Sequence, residues 1–289
     1  MKKIILALLT LALSATFLHA GSFKNKKDKL AIQKYVNKSI QDTTLKLVTI
    51  EEISGSSLED GNWSQYLVRI TVEDSISKES RISTNIFFTN GLFVSSRLYS
   101  VNFNSHLEKM LAPKPTKEDE TESRRILGNS LSSHTIYIFS DPRCPSCKGV
   151  VPGLIEKIQE VNSTDISVFL VDTALPMHPS SQTIIRIIAA ESLSGNHLRA
   201  LNLYNLKISE TTSPFEILEK SNVLLGTKYT FEELTSDKVN TFLKGNEKLL
   251  SDKMIVGTPS IYLDGQFLET LSPINDLLKD SNKSTSDIH

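Results

Sequence analysis

The sequence predicts an α+β protein of two domains. Three observations carry this expectation. Residues 45–98 hold four short β-rich runs with turn residues between them and no cysteine. Residues 117–122, Lys117-Glu118-Asp119-Glu120-Thr121-Glu122, form a charge run that separates two compositions. Beyond it, a β run passes into a helical pattern through the chain's only two cysteines, Cys144 and Cys147. Successive short strands read as an antiparallel sheet, whereas strand, helix, strand and a long helical stretch read as a β-α-β unit. At 289 residues the chain is long enough for both.

The N-terminus differs in kind from the rest. Lys2 and Lys3 precede the apolar run 4–13, and small residues follow to Ala20-Gly21. This is the pattern of a secretory signal peptide over residues 1–20, with cleavage after Ala20. The apolar run is too short for a membrane span, and no cysteine follows it to accept a lipid. Without Lys2 and Lys3 the basic count falls from 32 to 30 against 33 acids, a formal net charge of −3. That balance excludes an electrostatic case for nucleic acid. Apolar content of 39% and charged content of 22% are those of a soluble globular chain.

Residues 23–103 make the first expected domain. Asp28 is expected to N-cap a helix over 28–40, with Ile32, Val36 and Ile40 on one face. Strands are expected over 45–53 and 63–72, the second with Tyr66, Val68, Ile70 and Val72 on one face. Two more, over 82–88 and 92–98, flank Asn90-Gly91, the signal of a type I′ hairpin. One helix and four strands without clustered reactive groups point to a structural or associative role. A partly helical linker is expected over 104–127, where Ala112-Pro113-Lys114-Pro115 breaks the pattern and the charge run follows.

The second domain, residues 128–280, opens on the apolar strand 135–139. After Cys144-Pro145-Ser146-Cys147-Lys148 comes a helix that Pro152-Gly153 is expected to kink. Residues 166–171 read as a buried strand that completes the β-α-β unit. Helices are then expected around Ile184–Ile188, over 198–206 and 215–225, and from 231 to about 253. Their apolar stripes mark core contacts. Strand 260–263, an Asp264-Gly265 hairpin turn, strand 266–268 and a helix over 274–278 close the domain. Residues 281–289 read as a polar, disordered tail.

A C-x-x-C pair at a strand-to-helix junction is a redox signature. One helical turn brings the sulfurs together. The first cysteine meets the unpaired N–H groups and positive dipole end of the helix, which favour a thiolate. Pro145 suits the first turn, where its missing N–H is no loss. A zinc site would need four ligands, and His19, His106, His134, His178, His197 and His289 are too scattered to supply them. A structural disulfide across so short a loop would constrain little of the unfolded chain. Redox chemistry is therefore the expectation, with no metal and no cofactor. In an exported chain whose only cysteines are this pair, the disulfides acted on belong to other proteins. Lys148 is read as a solvated lysine and His178, in Pro176-Met177-His178-Pro179, as loop structure.

Phe139-Ser140-Asp141-Pro142-Arg143-Cys144-Pro145-Ser146-Cys147-Lys148, followed by Gly257-Thr258-Pro259-Ser260-Ile261-Tyr262, resembles the thioredoxin fold. Within that fold it is most similar to the periplasmic DsbC/DsbG thiol–disulfide isomerases. Asn246-Glu247-Lys248-Leu249-Leu250 and Pro152 resemble the same family, and the likeness spans residues 133–278. Ser146 stands where that family often has Tyr or His. The resemblance implies an α+β architecture: an N-terminal cystatin-like dimerisation domain, a helical linker, and a C-terminal thioredoxin-fold domain with a helical insertion. It implies a cis-proline at Thr258-Pro259 facing the cysteines, and a homodimer. Cys144 would be the nucleophile and Cys147 the resolving thiol of a redox disulfide. Thr258 and Pro259 would bind an extended substrate segment.

Three functions remain open at this point. The first is an isomerase or reductase of disulfide-containing secreted proteins, kept reduced by a membrane redox partner. The second is a dithiol oxidase with an oxidising membrane partner. The third is a chaperone-like binder of unfolded chains. The direction of electron flow is set by redox poise and partner, which no residue spells out.

Overall fold

The computed structural model describes residues 25–40, 44–58, 61–101 and 105–286. The expected signal segment, residues 1–20, lies outside the described residues, as do residues 23 and 24 at the start of the first expected domain. The chain divides into two compact units, residues 1–110 and 111–289.

In the first unit, helix α1 (Lys26–Ser39) precedes strands β1 (Leu45–Ser57), β2 (Ser64–Asp74), β3 (Ser80–Thr89) and β4 (Val94–Ser95). The strands form one antiparallel sheet in the order β1-β2-β3-β4. Period-2 alternation on β2 turns Tyr66, Val68 and Ile70 toward the same side as Ile50 and Phe87, and Ile32 and Val36 of α1 pack there. Each of these apolar side chains gains roughly 1.5–3 kcal/mol by full burial, which holds a helix of marginal intrinsic stability on the sheet. A two-residue pair, β5 (Tyr99–Ser100) with β6 (Ser105–His106), and the short helix α2 (Leu107–Leu111) follow.

Three expectations for this unit are corrected. The helix begins before Asp28, because Asn25 Oδ1 accepts the Lys27 N–H at 2.9 Å and is the N-cap. Asp28 instead turns inward, buried, and accepts the Tyr66 hydroxyl at 2.7 Å. Asn90-Gly91 is not a two-residue turn. Thr89 pairs with Val94, leaving a four-residue loop, and of the two residues only Gly91 has positive φ, at 79°. The cause is Asn90 Oδ1, which accepts the N–H groups of Leu92 and Phe93 and so extends the turn. The expected strand 92–98 shrinks with it to the two residues of β4.

The second unit is a five-stranded mixed sheet with helices on both faces. Strand β7 (Arg125–Leu127) comes first, then β8 (His134–Ser140), helix α3 (Pro145–Val161) and β9 (Ile166–Asp172). A helical region follows: α4 (Ser181–Leu193), α5 (His197–Ala200), a 3-10 turn (Leu201–Asn205), α6 (Pro214–Leu225), α7 (Phe231–Leu234) and α8 (Asp237–Asp252). The chain closes with β10 (Ser260–Leu263), β11 (Gln266–Phe267) and α9 (Ser272–Ser286). Sheet order is β11-β10-β8-β9-β7, with β8 and β9 parallel and the other pairs antiparallel.

Strand β8 is central and apolar on both faces, as a strand covered on both sides must be. Ile136 and Ile138 point into the larger core with Val151, Leu154 and Ile155 of α3, and with Ile184 and Ile187 of α4. Tyr137 and Phe139 point the other way and pack with Phe169, Tyr262 and Leu249 of α8. The rings of Tyr137 and Phe169 stack at 5.0 Å. Asp264 and Gly265, both with positive φ, make the two-residue turn that the sequence predicts, pairing Leu263 with Gln266.

Here too the structure departs from the sequence. Residues 117–127, expected as part of a linker, belong to this unit: β7 pairs with β9, and Arg124 Nε donates to Asn246 Oδ1 at 2.8 Å. The helix expected over 231–253 is two helices. Thr235 Oγ1 donates back to the Phe231 and Glu232 carbonyls, Asn240 Nδ2 takes the Thr235 carbonyl, and Ser236 is extended, so the chain restarts at α8. The tail expected to be disordered from residue 281 remains helical to Ser286. Ile274 and Leu278 anchor α9, and no Gly or Pro follows to stop it. No helix among the described residues is long and apolar enough to cross a membrane.

Candidate active site

Cys144 is the N-cap of α3, with extended backbone (φ −60°, ψ 124°), and Pro145 is its first helical residue. The helix runs through Pro152 to Val161 without a break. Both cysteines are free thiols, Cys144 8% exposed and Cys147 fully buried. The peptide bond between Thr258 and Pro259 is cis. Cys144 Sγ donates to the Thr258 carbonyl across 3.5 Å, so the four residues singled out in the sequence meet at one place although 114 positions separate Cys144 and Thr258. The Thr258 hydroxyl is buried without a nitrogen or oxygen partner and lies close enough to both sulfurs to favour their thiolates.

The two thiols are pushed apart electrostatically. At Cys144, burial opposes the thiolate. The N–H of Cys147, the side chains of Thr258 and Cys147 and the N–H of Ser146 outweigh it, holding the thiol below its ordinary range. At Cys147, burial wins and holds the thiol above that range, although the neighbouring Ser140 and Thr258 side chains and the Asp141 backbone favour its thiolate; the neighbouring Cys144 adds in the same direction as burial. One thiol is therefore the more exposed and more readily ionised of the two, and the other is a fully buried thiol that ionises reluctantly.

Sequence reasoning missed what holds this junction. Asp141 is fully buried and its carboxylate accepts four hydrogen bonds. The Arg143 N–H and Ser181 hydroxyl reach Oδ1, at 2.7 and 2.5 Å; the Leu175 N–H and His178 Nδ1 reach Oδ2, at 2.8 and 2.9 Å. His178 is thus a partner of Asp141 in a turn, consistent with its reading as loop structure. Arg143 binds Glu210 at 3.0 Å and the Ile208 carbonyl at 2.9 Å, while Glu210 also accepts the Ser180 hydroxyl. These contacts fasten the segment before Cys144 to the start of α4 and to the loop after the 3-10 turn. Lys148, expected to be solvated, is half-buried, and burial together with Arg143 lowers its ammonium pKa. Among the described residues no group of three or more His, Cys, Asp and Glu side chains is placed to hold a metal ion.

The sequence from residue 120 to residue 280 matches the model of a family described as Thioredoxin. No curated protein matches the sequence. Solved structures do. BdbD from Bacillus subtilis is 18% identical, with a TM-score of 0.46 over 60% of this chain and 97% of its own. ScsC from Proteus mirabilis is 21% identical, with a TM-score of 0.45 over 57% of this chain and 76% of its own. MdbA from Corynebacterium diphtheriae, a thiol-disulfide oxidoreductase, is 17% identical, with a TM-score of 0.44 over 56% and 90%.

Proposed function

The chain belongs to the thioredoxin family, and we propose that it is a thiol–disulfide oxidoreductase that reduces or isomerises wrong disulfides in secreted proteins. The observation that carries this is the asymmetry of the pair: an activated Cys144 at a helix N-terminus beside Thr258-Pro259, and a buried, reluctant Cys147 behind it. In the forward direction the Cys144 thiolate attacks a client disulfide and forms a mixed disulfide, and one client cysteine leaves as a thiolate. Cys147 then attacks Cys144 Sγ. The client's second thiolate departs and the pair is left oxidised. In isomerisation the freed client thiolate instead attacks another client disulfide, and the thiolate released there attacks the client sulfur of the mixed disulfide, so that a new client disulfide forms and Cys144 leaves as a thiolate.

The site is proposed to act in the periplasm after export by the leader, with a reducing membrane partner restoring the dithiol. The N-terminal unit supports the isomerase form within the DsbC/DsbG type. Its one helix on a four-stranded antiparallel sheet suits a cystatin-like dimerisation domain. Its edge strand β1 is thirteen residues long with Val48 and Ile53 exposed, a ladder that a second copy could extend. Two catalytic sites on one homodimer raise the effective concentration of thiolate at a held client without new contacts.

The test is exchange by the reduced chain on a scrambled multi-disulfide protein. Cys144→Ser should abolish turnover, and Cys147→Ser should accumulate client adducts on Cys144 that are visible on non-reducing gels. Undiminished turnover by Cys144→Ser would refute the assignment. Thiol alkylation of cell samples, finding the pair oxidised at steady state, would favour a disulfide-donating oxidase instead.

A further inference from the structure

The outer face of α1 carries a charge that the rest of the chain does not share. Five lysines stand between residues 26 and 38 against one acid, Asp28. The whole chain, by contrast, has 32 basic and 33 acidic residues. Asp28 is buried, and its carboxylate accepts the Tyr66 hydroxyl. Lys27, Ala31, Lys34 and Lys38 follow the spacing i, i+4, i+7, i+11 and form one stripe, opposite the buried Ile32 and Val36. At 1.5 Å per residue the stripe is about 16 Å long. Lys27, Lys34 and Lys38 are exposed, and none of them makes an ion pair among the described residues. Glu51 of β1 lines a groove with Lys34 and forms no ion pair with it.

A second observation comes from the loop between β3 and β4. At its tip Leu92 is 76% exposed and Phe93 65% exposed. Asn90 Oδ1 accepts the N–H of each, so a hydrogen-bonded turn presents both side chains to solvent. The loop lies against the start of α1: a Cβ placed on Gly91 would come within 3.1 Å of Lys27 Cδ and Cε. Leu92 also borders, with Lys27, Leu30, Lys34, Tyr35 and Val94, an open groove of about 450 Å³. Lysines and loop therefore form one face. Holding two large apolar side chains in water is unfavourable unless a partner covers them.

We propose that this face docks the N-terminal unit on an anionic lipid surface, with the lysine stripe on the phosphate headgroups and Leu92 and Phe93 entering the interface. Each lysine near such a surface strengthens binding about fivefold, and apolar side chains that enter it add to this in proportion to the area they bury. A second copy of the chain does not fit the face, because a two-fold contact would set the stripe against its own like charge. An acidic peptide would be gripped at fixed points by a groove or a strand edge. Lysines spread along the helix beside projecting apolar side chains suit a partner that is negative throughout and yields to insertion. The loop lies at the opposite side of the sheet from β1, which leaves that strand to the dimer contact proposed above. Docking would keep the chain at the membrane that houses the proposed redox partner, but it does not depend on the oxidoreductase reading.

The mature chain from Gly21 keeps every described residue and lacks the apolar run 4–13. Its binding is measured by sedimentation with vesicles of phosphatidylcholine alone and of phosphatidylcholine with about one-third phosphatidylglycerol. It should bind the mixed vesicles about tenfold more tightly or better, and lose affinity as salt is raised. Replacing Lys27, Lys34 and Lys38 together by Gln should weaken that binding about a hundredfold. Replacing Leu92 and Phe93 together by Ser should weaken it about tenfold and leave the salt dependence in place. Far-UV circular dichroism checks the fold, and should the lysine variant fail to fold, the loop variant carries the comparison. Reduction of a small disulfide should be unchanged in both variants, which separates this proposal from that for the thiols. Equal binding to both kinds of vesicle, or undiminished binding by the lysine variant, would overturn the proposal. Poly-glutamate bound as tightly as the mixed vesicles, with no effect of the loop variant, would assign the face to an acidic protein and overturn it as well. Loss of dimer mass in the lysine variant would assign it to a second copy, with the same result.

Discussion

Replacing Asp172 by Asn should make the folded protein less sensitive to a rise in pH between about 4 and 7, and the size of the effect follows from the site. Asp172 is raised from 3.8 to about 7 in the folded chain, first by burial, with Asp141 adding and Tyr204 opposing. A folded-state pKa above the unfolded one means that the native state holds a proton the unfolded state has released. This contribution to stability is fully present below about pH 4 and is lost as pH rises through 7. The slope is about 1.4 kcal/mol per pH unit, and the loss across the window is on the order of 4 kcal/mol. Asparagine has the shape of the protonated carboxyl, accepts the Tyr204 hydroxyl and does not ionise. Wild type and Asp172→Asn should thus be within about 1 kcal/mol of each other at pH 4, and the variant more stable by about 2–4 kcal/mol at pH 8. Urea unfolding of both proteins at pH 4, 5, 6, 7 and 8 measures the difference, in which groups common to both cancel. A difference that stays constant over this range would mean that Asp172 ionises as an ordinary surface carboxylate, and the account of its burial would be wrong.

Three other outcomes are expected. Rapid alkylation of the reduced protein should modify Cys144 with a midpoint below that of an unperturbed thiol, while Cys147 reacts slowly even above pH 9; equal reactivity of the two would contradict their opposite environments. Asp141→Ala leaves four donors without their acceptor and should cost about 3 kcal/mol in urea unfolding, whereas a loss under about 0.5 kcal/mol would show that the loop before Cys144 is held by other contacts. Light scattering of the mature protein at micromolar concentration should give twice the chain mass, and a monomer mass would remove the premise of two cooperating sites.

Local chemistry made the candidate redox pair legible from the sequence. The spacing of Cys144 and Cys147, the proline at the first helical position and the apolar strand before them all act within one turn of chain, so the residues themselves state the geometry. The same holds for β2, whose alternation names its buried face, and for Asp264-Gly265, whose backbone preferences make the turn. Asn90-Gly91 has the same kind of signal, yet its side chain closed a longer loop, because a local hydrogen bond outweighed a backbone preference. The role of Asp28 turned on Tyr66, 38 residues away, and residues 117–127 joined the second unit through partners on β9 and α8. The surroundings of the sulfurs were decided in the same way. Tyr204 meets Asp172 across 32 positions and Ser140 across 64, and Asp141 meets Ser181 across 40. Periodicity and capping report only on neighbours a few residues apart. A buried polar group can instead be satisfied by whichever partner the packed elements bring to it, so the reactive thiols could be named from the sequence, while their electrostatic environment was set by the tertiary fold.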